Sequence, residues 1–235
     1  MSAVEDASVV LGIHSRHLTA LQERFLAEPA TVGAFDRLTK RAAAAGFDLR
    51  VASAFRDYDR QTEIINQKWT GARPVKDVVG LPLLRENVSD LAWLEAILRF
   101  SALPGTSRHH WGTDVDIWDA AAVCVDYQPA LEPSEYEQDG VFAEMTFWLD
   151  ALISADDAEG FYKPYNTDYG GVAPEAWHIS YRPVASALQK QQRVDLCWPL
   201  WRGEADPEGN RHEALAMLAL LEPHADDLFT RFVLV

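Results

Sequence analysis

The spacing of hydrophobic residues along the chain predicts helices and strands that alternate in an irregular order. Apolar positions recur every three or four residues in five segments, which is typical of helices with one buried face. Three shorter segments alternate apolar and polar residues, as strands with one buried face do. The predicted helices cover about 14–28, 31–46, 57–69, 89–100 and 140–154, and the predicted strands cover 47–55, 112–118 and 175–181.

Two loops and a tail complete this prediction. Residues 70–83 and 161–174 are rich in turn-forming residues and are predicted to be loops, whereas 211–235 is predicted to be helical and largely hydrophobic. The irregular strand connections favour an α+β fold, a small antiparallel sheet with flanking helices, over a doubly wound sheet. The length predicts a single domain over 1–235, with a core at about 48–190 and the helical tail at about 211–235.

Composition and charge narrow the classes of partner. Acidic residues outnumber basic ones 36 to 21, and the formal net charge is -15. Such a surface repels phosphate backbones and anionic membranes, so we expect neither nucleic acid nor a membrane surface as a partner. No apolar stretch is long enough to span a membrane. The two cysteines, Cys124 and Cys197, form no C-x-x-C pair, and we expect two free thiols rather than a disulfide.

The N-terminus lacks the features of an export signal. No basic start followed by a long apolar run occurs in "MSAVEDASVVLGIHSRH", so we expect no signal peptide and a cytoplasmic location. A periplasmic or extracellular location would be expected if an export signal had been trimmed from the chain. The sequence does not indicate an oligomeric state.

Histidines and aspartates are concentrated in "SRHHWGTDVDIWD", from Ser107 to Asp119. Such a run occurs in metal sites, in catalytic dyads and in ordinary polar turns, and a lone histidine is more often structural than functional. Strand alternation places Asp114 and Asp116 on one face, and Thr113, Val115 and Ile117 on the other. These residues alone do not decide among the three interpretations.

A second cluster, "PEAWHIS", strengthens the metal interpretation. It places Glu175 three residues before His178, and a turn between them would bring both side chains to one site. Catalytic zinc uses three protein ligands and needs a nearby carboxylate as a base. His109, Asp116 and His178 would supply the ligands and Glu175 the base.

Three motifs resemble those of a known family. "SRHHWGTDVD" is similar to the S-x-H-x-x-G-x-A-x-D motif of the zinc D-Ala-D-Ala peptidases, "EAWH" to their E-x-W-H motif, and "SAFRDYDRQ" to their S-x-x-R-x-x-x-x-Q motif. That group includes D-alanyl-D-alanine carboxypeptidases and the vancomycin-resistance dipeptidases. It shares its fold with lysostaphin-type endopeptidases and the hedgehog signalling domain. The motifs occur in the family's order and cover about Ser53 to Tyr181.

The resemblance implies a role for each matching residue. It makes His109, Asp116 and His178 the ligands of a Zn²⁺ cofactor, and it makes Glu175 the general base and then the acid toward the leaving amine. Arg56 would stabilise the oxyanion. Ser107 would help to hold the C-terminal carboxylate of the substrate, and Gln61 would line the substrate cleft.

One residue departs from the family pattern. Asp114 stands where the motif has a small residue, often alanine, on the strand face that carries Asp116. It would compete as a ligand or orient a ligand from behind. We keep Asp116 as the ligand because it alone stands seven residues after His109, as the motif requires. His110 should point away from the metal.

The resemblance predicts a zinc metallopeptidase whose first-choice activity is D-alanyl-D-alanine carboxypeptidase, with a D-Ala-terminated muropeptide as substrate. A D-Ala-D-Ala dipeptidase and a peptidoglycan endopeptidase are the alternatives within the class. A non-catalytic zinc-containing binding domain, as in hedgehog, and a structural zinc site closed by Asp114 are the alternatives outside it. An intact Glu175 and Arg56 argue against a pure binding domain, which needs no base.

Overall fold

A computed structural model describes residues 7–77 and 80–234. Three of the sequence predictions fall partly outside the described residues. They concern the absence of a signal peptide (residues 1–6), the 70–83 loop (Val78 and Val79) and the helical tail (Val235). The strands are β1 (Thr19–Leu21), β2 (Phe25–Ala27), β3 (Leu49–Ser53), β4 (Asp114–Asp119), β5 (Phe161–Tyr162) and β6 (His178–Tyr181). The helices are α1 (Ala7–Val10), α2 (Pro29–Ala45), α3 (Tyr58–Trp69), α4 (Asp90–Leu98), α5 (Pro133–Tyr136), α6 (Ala143–Ser154), α7 (Arg182–Gln189), α8 (Val194–Trp201), α9 (Leu218–Leu221) and α10 (Ala225–Phe232).

The strands form two antiparallel sheets flanked by helices, which confirms the predicted α+β class. β1 and β2 make a hairpin, and the other sheet has the order β3-β4-β6-β5. Val115 and Ile117 of β4 point into a core that also holds Phe35 and Leu38 of α2. The opposite face of β4 carries the two aspartates of the predicted site. The sequence thus predicted correctly which residues of β4 face the core and which face the site.

The predicted helix over 14–28 is wrong, since this segment contains the β1–β2 hairpin. Gln22 and Glu23 adopt φ values of 44° and 60°, which turn the chain and are incompatible with a right-handed helix. The Gln22 side chain donates to Leu49 O at 3.1 Å and accepts from Val51 N at 3.0 Å. These bonds satisfy the free edge of β3, so a tertiary contact outweighs the local helical period.

Three other boundaries differ from the prediction. The strand predicted over 175–181 begins only at His178, because His178 N donates to Glu175 O and closes a turn before it. The first two residues of the predicted 161–174 loop pair with β6 as β5. In the described part of the 211–235 tail, which was predicted to be helical, only α9 and α10 are α-helical. The helices α7 and α8 were not predicted.

A second core holds the C-terminal tail. Leu228 and Phe232 of α10 pack with Ile65 of α3, Leu94 of α4 and Trp201 of α8. The tail therefore completes a core shared by α3, α4 and α8. Both cysteines are free thiols, as predicted, with Cys124 exposed and Cys197 buried. Within the described residues, no helix combines the length and apolarity that crossing a membrane would require.

Candidate metal centre

The register of the central sheet brings two predicted ligands face to face. β4 pairs with β6 so that Asp116 lies directly opposite His178. The His178 Nδ1 atom lies 3.1 Å from Asp116 Oδ1. Both side chains are buried at the floor of a cleft.

His109 reaches the same point from a 3₁₀ turn, Arg108–Trp111, that precedes β4. Its Nε2 atom lies 3.4 Å from Asp116 Oδ2. Gly112 ends the turn with a φ of 71°, and a Cβ there would lie 2.5 Å from Leu18 Cδ2. The glycine of the motif is therefore required both by its backbone conformation and by the close approach of the hairpin.

The three side chains fit a zinc ion. One donor atom from each of His109, Asp116 and His178 lies within 4.8 Å of the others. Donors arranged tetrahedrally around zinc at its usual bond lengths stand about 3.3 Å apart, close to the separations of 3.1 and 3.4 Å found here. In addition, Asp116 Oδ1 is buried without a hydrogen-bond donor in the described part of the chain. Two imidazoles and one carboxylate are a donor set that suits zinc.

Glu175 stands beside this donor set, as the sequence predicted if the chain turned between it and His178. Its Oε2 atom lies 3.3 Å from His178 Nδ1. Its backbone N–H donates to Tyr165 O at 2.9 Å, which holds the turn against the neighbouring loop. The carboxylate thus faces the cleft next to the donor atoms and can accept a proton there.

Asp114 is not a fourth ligand. Its Oδ1 atom accepts from Nε2 of His178 at 2.9 Å, which is the ring nitrogen remote from Asp116. Oδ1 also accepts from Arg108 Nε at 2.8 Å, and Oδ2 accepts from Thr113 and Ser180 hydroxyls. The carboxylate orients His178 from behind. These contacts argue against a structural zinc site closed by Asp114.

Three carboxylates surround His178. Burial would lower the pKa of His178, but the neighbouring carboxylates of Asp114, Asp116 and Glu175 outweigh it and raise that pKa well above its ordinary value. Burial would raise the pKa of Asp116, but His109 and His178 hold it well below its usual range. Three carboxylates around one imidazole favour a bound cation, and a divalent metal would displace the proton.

Arg56 lies in the wall of the cleft and is held from both ends. Its backbone N–H donates to His109 O at 3.1 Å. Its guanidinium donates to Gln61 Oε1 at 2.8 Å and to Ser53 Oγ at 3.2 Å. Burial lowers its pKa, an effect that the charges of Asp116 and Glu175 oppose.

Gln61 does not lie on the cleft wall where the sequence placed it. Its side chain is fully buried behind Arg56, and its Nε2 donates to Ala102 O at 2.6 Å. This amide thus links the guanidinium of Arg56 to the backbone of the segment after α4. A positioning function fits this location better than contact with a ligand.

His110 points away from the predicted ligands. Its ring lies 2.6 Å from Arg56 O through Nδ1, and its Nε2 accepts from Gly105 N at 3.0 Å. Nδ1 therefore carries the proton and donates. Burial lowers the pKa of His110 to about 3, so the ring stays neutral and supports the backbone at Arg56.

The cleft has a volume of about 330 Å³ and is lined by Arg56, the three ligand candidates and Glu175. Ser107 also lines it, and its side chain makes no capping bond to the 3₁₀ turn that it precedes. The structure thus brings together all the predicted site residues except Gln61 at one surface.

Two further residues contribute to the centre and were not identified from the sequence. Arg108 is buried and neutralises Asp114. The Tyr165 ring contacts the His178 ring at a centroid distance of 5.1 Å, and burial raises the pKa of Tyr165 to about 12. An aspartate on a buried strand face requires a cation, and this requirement was the available signal for Arg108. Nothing in the sequence distinguishes Tyr165 from its loop neighbours.

A His–Asp–His donor set with an adjacent carboxylate, carried by a small antiparallel sheet among helices, defines a metal-dependent hydrolase. The profile of the VanY family, D-alanyl-D-alanine carboxypeptidase, matches residues 24–184. The chain therefore belongs to this family, and it is a peptidase.

The chain is also similar to individual proteins. Two uncharacterized proteins from Haemophilus influenzae are similar: one is 37% identical over 103 residues, which cover 43% of this chain and 77% of the relative. The other is 46% identical over 72 residues, which cover 31% of this chain and 49% of the relative.

Solved structures share the fold. VanYB in complex with D-alanine-D-alanine aligns with a TM-score of 0.51 and 22% identity, over 73% of this chain and 80% of that chain. The vancomycin-resistance D,D-pentapeptidase VanY in complex with Zn(II) aligns with a TM-score of 0.50 and 22% identity, over 74% of this chain and 84% of that chain.

Proposed function

We propose that this protein is a zinc-dependent D-alanyl-D-alanine carboxypeptidase, which removes the terminal D-alanine from cell-wall peptides that end in D-Ala-D-Ala. The observation that carries the proposal is the position of Glu175, whose carboxylate lies 3.3 Å from His178 beside a three-residue donor set that faces a cleft. Family membership supports the peptide class of the substrate.

His109, Asp116 and His178 would hold the zinc ion. When bound, zinc supplies Lewis acidity, which lowers the pKa of a water molecule and polarises a carbonyl group. The protein's own contribution is a buried donor set whose third ligand, His178, is oriented by Asp114.

Glu175 then moves the protons of the reaction. Its carboxylate takes a proton from the attacking water as the oxygen adds to the carbonyl carbon. When the C–N bond breaks, the protonated Glu175 returns that proton to the departing amine nitrogen. One water is consumed, and a free D-alanine and a shortened peptide are formed.

Arg56 stabilises the charge that develops on the carbonyl oxygen. Its guanidinium is oriented in advance by Gln61 and Ser53, so little reorganisation is needed during the reaction. Ser107, whose hydroxyl makes no capping bond in the cleft wall, is available to donate to the C-terminal carboxylate of the peptide.

Release of D-alanine from a pentapeptide tests the proposal directly. The zinc-loaded protein is incubated with a pentapeptide ending in D-Ala-D-Ala, and free D-alanine is measured with and without a chelator. We expect release that stops with the chelator and returns with added zinc. Release of the intact dipeptide would instead identify a different bond as the target, and no cleavage by the metal-loaded protein would overturn the proposed function.

A further inference from the structure

Besides Arg56, two cations in the cleft wall have no carboxylate partner in the described part of the chain. Lys68, at the end of α3, and Arg73, in the loop after it, line the same cleft as the predicted ligands. Neither forms an ion pair within residues 7–77 and 80–234. Three other partly or fully buried cations do form ion pairs: Arg108 with Asp114, Arg99 with Asp168, and Lys163 with Asp150.

Lys68 is held in place with donors to spare. Its Nζ atom donates to Ser101 Oγ at 2.6 Å, and the Ser101 hydroxyl donates to Phe100 O at 2.7 Å. An ammonium group has three N–H donors, and the bond to Ser101 uses one. The side chain lies one turn beyond Ile64, which also lines the cleft. The other two N–H donors of Lys68 are therefore held at the cleft, whereas those of an exposed lysine would move with a flexible side chain.

The surroundings make a negative ligand favourable there. Burial lowers the pKa of Lys68 to about 8, and the charges of Arg73 and Arg56 add to this effect, whereas Glu175 opposes it. An anion bound between Lys68 and Arg73 would relieve the repulsion between them. The whole chain carries a net charge of -15, so unpaired cations in its cleft are a local exception.

Lys68 lies between the cleft and a second cavity into which the rest of a bound peptide could extend. It lines this second cavity of about 200 Å³ next to the cleft, together with Phe100 and Leu131, which line both cavities. None of the three predicted metal ligands lines that second cavity. A carboxypeptidase releases only one residue, so the long part of its substrate must leave the metal on the other side. The second cavity offers room for that part.

We propose that Lys68 and Arg73 bind a carboxylate that the substrate carries upstream of the scissile bond, so that the enzyme selects acidic cell-wall peptides over neutral ones. This inference rests on the proposed function for its substrate class. Two carboxylates of such a peptide would serve: the free carboxylate of a 2,6-diaminopimelate side chain and the α-carboxylate of a γ-linked D-glutamate. The chemistry of recognition is the same for both.

Four pentapeptides of the sequence L-Ala-γ-D-Glu-diaminopimelate-D-Ala-D-Ala distinguish these sources. One has both internal carboxylates free, two have one or the other amidated, and the last has both amidated. We expect amidation of the recognised carboxylate to lower kcat/KM of the wild-type protein about tenfold, as loss of a charge-assisted hydrogen bond does. In Lys68→Met and Arg73→Gln, the same amidation should change kcat/KM less than about twofold.

Matched variants separate recognition from folding. Lys40→Met removes an exposed lysine of α2 and should keep the wild-type preference. Lys68→Arg restores the charge and should recover part of the preference. A purely structural lysine would lower the turnover of all four peptides equally, and that result, or an unchanged preference in both variants, would overturn the inference. Equal loss on all four would also be the result if these cations held the C-terminal carboxylate.

A binding measurement keeps this test independent of the proposed function. Calorimetry with zinc-loaded Glu175→Gln compares the affinities of the four peptides without turnover. If the wild-type protein cleaves none of them, the proposed function fails, while a preference for the free carboxylate that depends on Lys68 would still support the subsite. Equal affinities for all four peptides would reject the subsite even in an active enzyme.

Discussion

Asp114 hydrogen-bonds the back of His178, with 2.9 Å between Asp114 Oδ1 and His178 Nε2. The opposite ring nitrogen, Nδ1, faces Asp116 at 3.1 Å and Glu175 at 3.3 Å. The residue that departs from the family motif is thus a fixed acceptor behind a predicted metal ligand. It sets the tautomer and the orientation of the ring.

We expect Asp114→Asn and Asp114→Ala to weaken zinc binding about 10- to 100-fold, because loss of such a partner leaves the ligand less basic and less well oriented. Competition with a chromophoric chelator measures this affinity. Asp119→Asn is the matched control, since Asp119 lies on the same strand but accepts only from Asp48 N and Ala121 N. Wild-type affinity in both Asp114 variants would show that the contact does not tune the metal.

Arg108→Met should destabilise the fold by about 3–5 kcal/mol, because it leaves the carboxylate of Asp114 buried without its cation. Urea unfolding in the presence of a chelator measures this loss without a contribution from metal binding. The double variant Arg108→Met/Asp114→Ala should lose less than the sum of the two single variants. Arg50→Met, which removes an exposed pair with Asp48, should cost less than about 1 kcal/mol. Additive losses would mean that Arg108 and Asp114 act independently.

Much of the fold could be predicted where local signals agree with tertiary packing. α2 has a buried stripe and is capped at its C-terminus by Gly46, and α3 is capped at its N-terminus by Asp57, whose side chain accepts from Arg60 N. The β1–β2 hairpin could not be predicted in this way. Its turn uses Gln22 and Glu23 rather than the Asn-Gly or Gly-Gly pairs that usually signal a hairpin.

The site residues also differ in how far local sequence signals predict them. The ligand positions follow from motif spacing, and the β4–β6 register brings Asp116 opposite His178. The location of Gln61 behind Arg56 depends on how α3 packs against the segment after α4, which no local pattern encodes. Lys68 and Arg73 could not be predicted either, because their lack of carboxylate partners is a property of the folded cleft.

Glu175→Gln should retain zinc and lose hydrolysis by at least about 100-fold, because the amide cannot accept the proton of the attacking water. Metal content by elemental analysis and D-alanine release are measured on the same preparation. Glu144→Gln, an exposed change on α6, serves as the control and should leave both quantities unchanged. A Glu175→Gln protein with near wild-type turnover would remove Glu175 as the base.

Gln61→Met should lower kcat about 10- to 100-fold with a smaller change in KM, because Arg56 loses the acceptor that orients its guanidinium. A residue that lined the cleft and bound substrate would instead raise KM. Steady-state kinetics on the D-Ala-D-Ala pentapeptide separate the two cases. Gln67→Met, on the same helix but bonded to Glu63, is the control. Zinc content should stay at the wild-type level in both variants.

Zinc affinity should increase with pH across the neutral range, because the metal replaces a proton on His178. In the metal-free protein the pKa of His178 is raised well above its ordinary value. Its protonation therefore contributes stability that is fully present below the unfolded-state pKa of about 6.5 and is lost as the pH rises through the raised pKa.

Binding at Nδ1 requires the deprotonated ring, so the apparent zinc affinity should rise about tenfold per pH unit until the raised pKa is passed. Chelator competition at several pH values, corrected for the protonation of the chelator, gives this slope. His212→Asn is the control, because His212 also has a raised pKa but lies between Asp59 and Asp206, outside the site. The control should keep the wild-type slope, and an affinity independent of pH in the wild-type protein would show that His178 does not exchange its proton for the metal.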